Sequence, residues 1–132
     1  MVLYRLILSL ALPVLILRLA LRAARGRETW AELAERLGGG SAAAKPGALW
    51  LHAASNGELT SALGLLKELR DRRPGLDVIV TTNSRTGRAL ARAQGMTARL
   101  APLDARWCVC RFLARHTPRA LVSLESEIWP NR

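Results

Sequence analysis

The chain has 132 residues, half of them hydrophobic, and a formal charge of +10. That length accommodates one ordinary domain of roughly 100 residues with a packed core and an added segment. The pI near 11.5 requires a strongly basic surface, which admits nucleic acid, anionic lipid and phosphorylated small molecules without choosing among them. Cys108 and Cys110 lie two apart in a predicted helix and face different ways, and His52 and His116 stand alone. The two cysteines are therefore not expected to pair with each other, no second ligand cluster is present to make a zinc site, and neither a metal nor a cofactor is expected.

Residues Val2 to Leu21 are mostly Leu, Ile, Val and Ala, broken by Arg5, Pro13 and Arg18. The apolar run from Leu6 to Leu17, interrupted at Ser9, falls short of the roughly 20 residues that span a bilayer comfortably. It spans only if Arg5 and Arg18 snorkel to opposite interfaces, and otherwise lies in one leaflet. Arg18, Arg22, Arg25 and Arg27 follow the run, favouring a cytoplasmic position for what comes next and attraction to anionic headgroups. A cleaved signal peptide fits less well, because the basic residues come after the apolar run and no small-x-small site follows. Residues 1–27 are thus expected to be a membrane-anchor helix with a basic flank.

Residues 28–46 read as a short amphipathic helix over Glu28 to Leu37, with apolar positions at Trp30, Leu33, Ala34 and Leu37, and then a flexible Gly/Ala linker from Gly38 to Pro46. Residues 47–132 form the globular domain. Strands are predicted at Ala48 to Ala54, Asp77 to Thr82, Thr97 to Ala101 and Ala120 to Leu124. Helices are predicted at Leu59 to Arg72, Thr86 to Ala93 and Arg106 to Arg115, the last one capped by Asp104. This alternation predicts an α/β fold, a doubly wound parallel sheet with helices on both faces. Ligands of such sheets bind outside the carboxyl ends of the strands.

Three strand ends carry the informative residues. Trp50-Leu-His-Ala-Ala-Ser-Asn-Gly-Glu58 breaks from an apolar run into small and polar residues just before a helix. Either Ser55 or Asn56 caps that helix and Glu58 completes the cap, or Glu58 is a base held beside an anion-binding helix terminus. Thr81-Thr-Asn-Ser-Arg-Thr-Gly87 offers hydroxyls for a phosphate or sugar, with turn chemistry as its plain reading. It lacks the glycine-lysine-serine order of a Walker loop, and the first strand lacks the dinucleotide fingerprint. Glu125-Ser-Glu127-Ile-Trp-Pro-Asn131 places two carboxylates straight after a buried strand, where either holds a helix terminus or a substrate hydroxyl, or joins the chemistry.

With these stretches the chain resembles the bacterial 3-deoxy-D-manno-octulosonic acid (Kdo) transferases of lipopolysaccharide synthesis. The matching residues are the apolar N-terminus with its basic flank, Glu35-Arg-Leu-Gly38, Leu51-His-Ala-Ala-Ser-Asn-Gly-Glu58, Val80-Thr-Thr82 with Thr86-Gly87, Pro102-Leu-Asp104, Arg111-Phe-Leu113 and Leu124-Glu-Ser-Glu-Ile-Trp-Pro-Asn131. The resemblance implies a Rossmann-like, acceptor-side domain, the N-terminal half of a two-domain B-type glycosyltransferase. It implies inverting transfer of Kdo from CMP-Kdo to a lipid A precursor, lipid IV(A), at the cytoplasmic face of the bacterial inner membrane, with no metal and no nucleic acid. Glu58 matches the family's general base and Glu125 a carboxylate acting electrostatically at the transition state. Ser55, Asn56, Gly57, Thr82, Thr86 and Glu127 are the expected acceptor-side binding residues.

The chain departs from the family pattern in three places. Ser84-Arg-Thr-Gly87 stands where members commonly carry Thr-Pro-Thr-Gly, Ser126 replaces a common threonine, and the sequence stops at Arg132. A second domain binds most of the donor in the family, so this chain alone is expected to be inactive. The alternative expectation is a non-catalytic, membrane-associated module that binds anionic lipid or nucleic acid through its arginines.

Overall fold

The structure is a computed structural model that describes residues 2–40 and 44–124. In chain order the elements are α1 (Val2–Ala24), α2 (Trp30–Arg36), β1 (Leu49–Ala53), α3 (Asn56–Arg72), β2 (Val78–Thr82), α4 (Arg85–Ala93), β3 (Thr97–Leu100), α5 (Arg106–His116) and β4 (Ala120–Ser123). The described residues fall into two compact units, 2–40 with 102–114, and 44–101 with 115–124.

In the first unit α1 is a helix of 23 residues with Pro13 inside it. Its final turn and the chain after it are held by an ion pair between Arg22 Nε and Glu28 Oε1 at 3.2 Å, with Arg36 Nε 3.6 Å from Glu28 Oε2. A short helix such as α2 depends on its ends. Thr29 Oγ1 accepts from the Glu32 N–H at 3.1 Å while Glu32 Oε2 accepts from the Thr29 N–H at 2.8 Å, a reciprocal cap.

The stretch expected to be a flexible linker begins instead as a helix terminus. The Gly38 N–H bonds to the Glu35 carbonyl at 2.9 Å and the Gly39 N–H to the Ala34 carbonyl at 2.7 Å, the paired closure that leaves no carbonyl of the last turn stranded. Gly38 has φ +75°, and a Cβ there would collide with the Cys108 carbonyl oxygen of α5 and approach the Phe112 nitrogen to 3.0 Å. Both glycines are buried. Cys108 is buried too, and burial pushes its thiol up to about 11 against the opposing pull of Arg111, while Cys110 is exposed. Both cysteines are free thiols.

The second unit is a four-stranded parallel sheet in the order β3-β2-β1-β4. Leu51 pairs with Val80 and with Val122, and Val80 with Ala98. Val78-Ile-Val-Thr-Thr82 is buried at every position, which explains its unbroken apolar, β-branched start. Leu51, Ala53, Val78, Val80 and Ala98 meet Leu59, Ala62 and Leu66 of α3 and Ala91 of α4 in one core. The other strand positions carry a buried polar trio: the Thr81 hydroxyl accepts from Trp50 Nε1 at 2.8 Å and lies 2.9 Å from His52 Nδ1. Since Trp50 already donates to it, the Thr81 hydroxyl pairs its own hydrogen by donating to His52 Nδ1, which assigns the imidazole proton to Nε2.

The chain enters this unit firmly pinned. The Ala44 N–H donates to His116 Nδ1 at 3.0 Å and the Lys45 N–H to Asp77 Oδ2 at 3.0 Å. Burial, with Arg99 and Arg115 nearby, lowers His116 from 6.5 to about 4, so the ring is neutral and free to accept. Each predicted strand and helix of the domain is present. The main change is that α3 starts at Asn56, three residues early.

Candidate functional site

The strand order locates the site before any side chain is considered. β1 leads through α3 to β2 on one side, yet β4 pairs with β1 on the other. The direction of winding therefore reverses between β1 and β4, and loops at the carboxyl ends of such a pair part to leave a crevice. The residues leaving β1 are Ala54-Ser-Asn-Gly-Glu58, and those leaving β4 begin at Leu124. The Leu124 N–H still bonds to the His52 carbonyl at 2.9 Å, so the two strands stay paired to the rim.

Glu58 sits at the third position of α3 and is half-buried. Its Oε2 accepts from the Ala54 N–H at 2.7 Å and from the Ser55 N–H at 3.3 Å, while Ser55 Oγ accepts from the Glu58 N–H at 3.2 Å. Of the two caps left open by the sequence, Ser55 is therefore the one used. Among the described residues Oε1 accepts no hydrogen bond. One oxygen of the carboxylate thus fixes the group and the other is available. Glu32 makes the same reciprocal cap on α2 but is fully buried there, so Glu58 differs from it in being partly exposed and in standing at the switch point.

The turn after β2 closes against the turn after β1. Ser84 Oγ accepts from the Gly87 N–H at 3.0 Å and donates to Asn56 Oδ1 at 3.1 Å, and Asn56 Nδ2 donates to Thr86 Oγ1 at 3.0 Å. The N-termini of α3 and α4 are tied together by one amide and two hydroxyls. A Cβ at Gly87 would stand 2.9 Å from Asn56 Oδ1 and 3.1 Å from both Ser84 Oγ and Thr82 Cβ. Glycine at 87 makes room for this close approach, with no unusual backbone angle involved.

Ser55, Asn56, Gly57 and Thr86 are exposed on this rim. Thr82, expected beside them, is fully buried and donates its hydroxyl to the Ser84 carbonyl at 2.9 Å, so it shapes the loop from beneath. Glu125 and Glu127, with the rest of the Glu125 to Asn131 motif, lie outside the described residues. The residues that sequence reasoning missed are Ser84, which reads as an ordinary turn serine, and the Trp50-His52-Thr81 trio under the rim; their spacing of two along β1 was the available signal. Two grooves of this unit lie elsewhere. One of about 360 Å³ is lined by Leu63, Lys67, Arg70 and Met96, and another of about 260 Å³ opens at the amino ends of β2 and β3. Asp71 lines the first and Asp77 with Thr97 the second, but neither groove takes in a helix N-terminus or lies at the carboxyl ends of the strands.

The model of a family described as 3-deoxy-D-manno-octulosonic-acid transferase (kdotransferase) matches residues 31–132. A probable mitochondrial 3-deoxy-D-manno-octulosonic acid transferase of Arabidopsis thaliana is 32% identical over 98% of this chain and 30% of its own length. The 3-deoxy-D-manno-octulosonic acid transferase of Bordetella pertussis is 36% identical over 97% of the chain and 32% of its length, and that of Haemophilus influenzae 29% identical over 97% and 31%. The chain spans about a third of the length of these relatives.

Proposed function

The chain belongs to the 3-deoxy-D-manno-octulosonic acid transferase family, and from that premise we propose that it is the acceptor-side domain of a Kdo transferase with Glu58 as general base. The donor is CMP-Kdo, held mainly by a second domain of a B-type glycosyltransferase. The acceptor is a lipid A precursor, lipid IV(A), presented at the cytoplasmic face of the bacterial inner membrane. The observation that carries the reading is the division of labour within Glu58: Oε2 is anchored by two backbone N–H groups at the winding reversal, and Oε1 is open.

In the reaction the acceptor hydroxyl meets Oε1, which takes its proton as the oxygen attacks the anomeric carbon and CMP departs, inverting that centre. Holding Oε2 fixes the base before substrate arrives and removes a rotamer search from the barrier. The α3 and α4 N-termini, exposed through Asn56 and Thr86, offer partial positive charge to the phosphorylated sugar of the acceptor. Ser55, Asn56, Gly57 and Thr86 contact the acceptor in this scheme, Thr82 holds their loop, and Glu125 and Glu127, which follow β4 in the sequence, are assigned the family's supporting roles. The apolar N-terminal helix keeps the domain at the membrane where the acceptor resides.

The test is Glu58→Gln in the full-length transferase to which we assign this chain. Glutamine retains the capping bond through its carbonyl but cannot take the proton. Turnover falls by about a hundredfold or more while the melting temperature holds. Near-normal turnover removes Glu58 from the role of base.

A further inference from the structure

The groove of about 360 Å³ beside the second half of α3 has an apolar floor and a charged mouth. Leu66 and Met96 in its walls are buried and Leu63 is half-buried, while Lys67, Arg70 and Asp71 stand exposed around them. Arg70 Nη1 donates to the carbonyl of Gln94, another wall residue, at 3.3 Å, which holds the guanidinium at the opening. Lys67 and Asp71 are four apart on α3, a spacing at which opposite charges can meet, yet neither has an ion-pair partner among the described residues. Gly64 lines the same groove from inside the helix. A glycine there weakens a helix relative to alanine, and no close packing asks for one, since a Cβ would meet nothing within 4 Å. What the glycine supplies is an unobstructed wall. The neighbouring groove of about 260 Å³ also has Arg70 and Met96 in its walls, so the two hollows adjoin. Asp77 in that second hollow is already engaged by the Lys45 N–H at 3.0 Å.

Two cations and one carboxylate leave a net charge of +1 at the mouth. The complement of such a trough is an elongated apolar molecule that ends in a single negative charge. We propose that the trough is a second binding site, for a medium-chain aliphatic carboxylate, with the chain along Leu63, Leu66 and Met96 and the head between Lys67 and Arg70. The guanidinium fork takes carboxylate oxygens in pairs, and the ammonium adds a compact charge beside it. Asp71 stands against a second negative charge on the ligand, which disfavours a phosphate monoester. A mostly apolar lining with a few convergent polar groups, at a volume of about 300 Å³ or more, is the usual form of a small-molecule site. The proposal goes beyond the transferase reading: the groove begins at Leu63, whereas Glu58 is at the third position of α3, and nothing in it depends on proton transfer.

Photolabelling tests it, using the full chain and decanoate with a diazirine near its tail, kept below the concentration at which it forms micelles. Mass spectrometry finds the label on residues 63–71 and on Met96. Unlabelled decanoate displaces it, decanol does so about tenfold less well or worse, and decyl phosphate also competes less well than decanoate. Gly64→Leu fills the opening and lowers labelling there by about tenfold or more, and Lys67→Gln with Arg70→Gln lowers it by about tenfold. Thermal melting confirms that both variants fold, the first carrying the better helix former. The pair Arg18→Gln with Arg25→Gln removes equal charge from α1 and leaves labelling of the groove unchanged. Label confined to α1, equal displacement by decanol, or undiminished labelling of Gly64→Leu overturns the proposal, and stronger displacement by decyl phosphate overturns the carboxylate head. Glu58→Gln is labelled as the parent is, so a failure here and a failure of the catalytic assignment are told apart.

Discussion

The turns after β1 and β2 are one design built twice with different contents. Each leaves a buried parallel strand and enters a helix through a serine in extended conformation, Ser55 with φ −119° and Ser84 with φ −114°, whose hydroxyl accepts from the N–H three residues on. At the first turn that third residue is Glu58, and its carboxylate reaches back to complete the cap. At the second it is Gly87, with no side chain to reach back, and Asn56 of the first turn occupies the space instead. The pair teaches that the carboxylate is not demanded by the architecture. α4 is capped without one, so what sets Glu58 apart is where its turn stands in the sheet.

The largest test of this contrast is Glu58→Gln, which makes the first turn chemically like the second without removing the cap: turnover falls by about a hundredfold or more at constant melting temperature. Next in size is a boundary on the comparison. His116 is held near 4 in the folded chain against 6.5 unfolded. A depressed folded value means the stabilisation is complete above 6.5 and lost as pH falls from there towards 4, on the order of 3 kcal/mol in all. Thermal unfolding from pH 8 down to pH 4 should show that slope, and His116→Gln should flatten it; turn variants are then compared above the window. Gly87→Ala puts a Cβ against Asn56 and Ser84 and costs about 1–3 kcal/mol in urea unfolding, whereas Gly57→Ala, inside α3 with only Ser55 Oγ at 3.9 Å, stabilises by up to about 1 kcal/mol. Smallest is Asn56→Ala, which unties the two turns for about 1 kcal/mol and should lower the KM effect of any acceptor contact made through Thr86.

Much of this was legible in the sequence because period and punctuation are local. Val78-Ile-Val announces a buried strand, Leu59 and Leu66 a helix face, and the cap at Ser55 was one of two readings open there. The start of α3 was misplaced by three residues because its first turn is polar and is stabilised by the cap, with no apolar periodicity to mark it. The strand order was not legible, since nothing in the residues of β4 says on which side of β1 it pairs. Nor was the union of Asn56 with Ser84 and Thr86, which lie 28 and 30 residues away. Gly38 and Gly39 read as free linker because a helix-closing glycine and a linker glycine have the same composition and differ only in what packs on them.

Gly38 carries a practical warning for any saturation scan of this chain. Its left-handed backbone and its contact with the Cys108 carbonyl make all other residues unacceptable there, so the position will score as intolerant as Glu58. A map drawn from activity alone would enrol it in the active site. Paired abundance and activity readouts will separate the two: substitutions at Gly38 deplete the protein itself, while Glu58→Gln leaves a full complement of silent molecules.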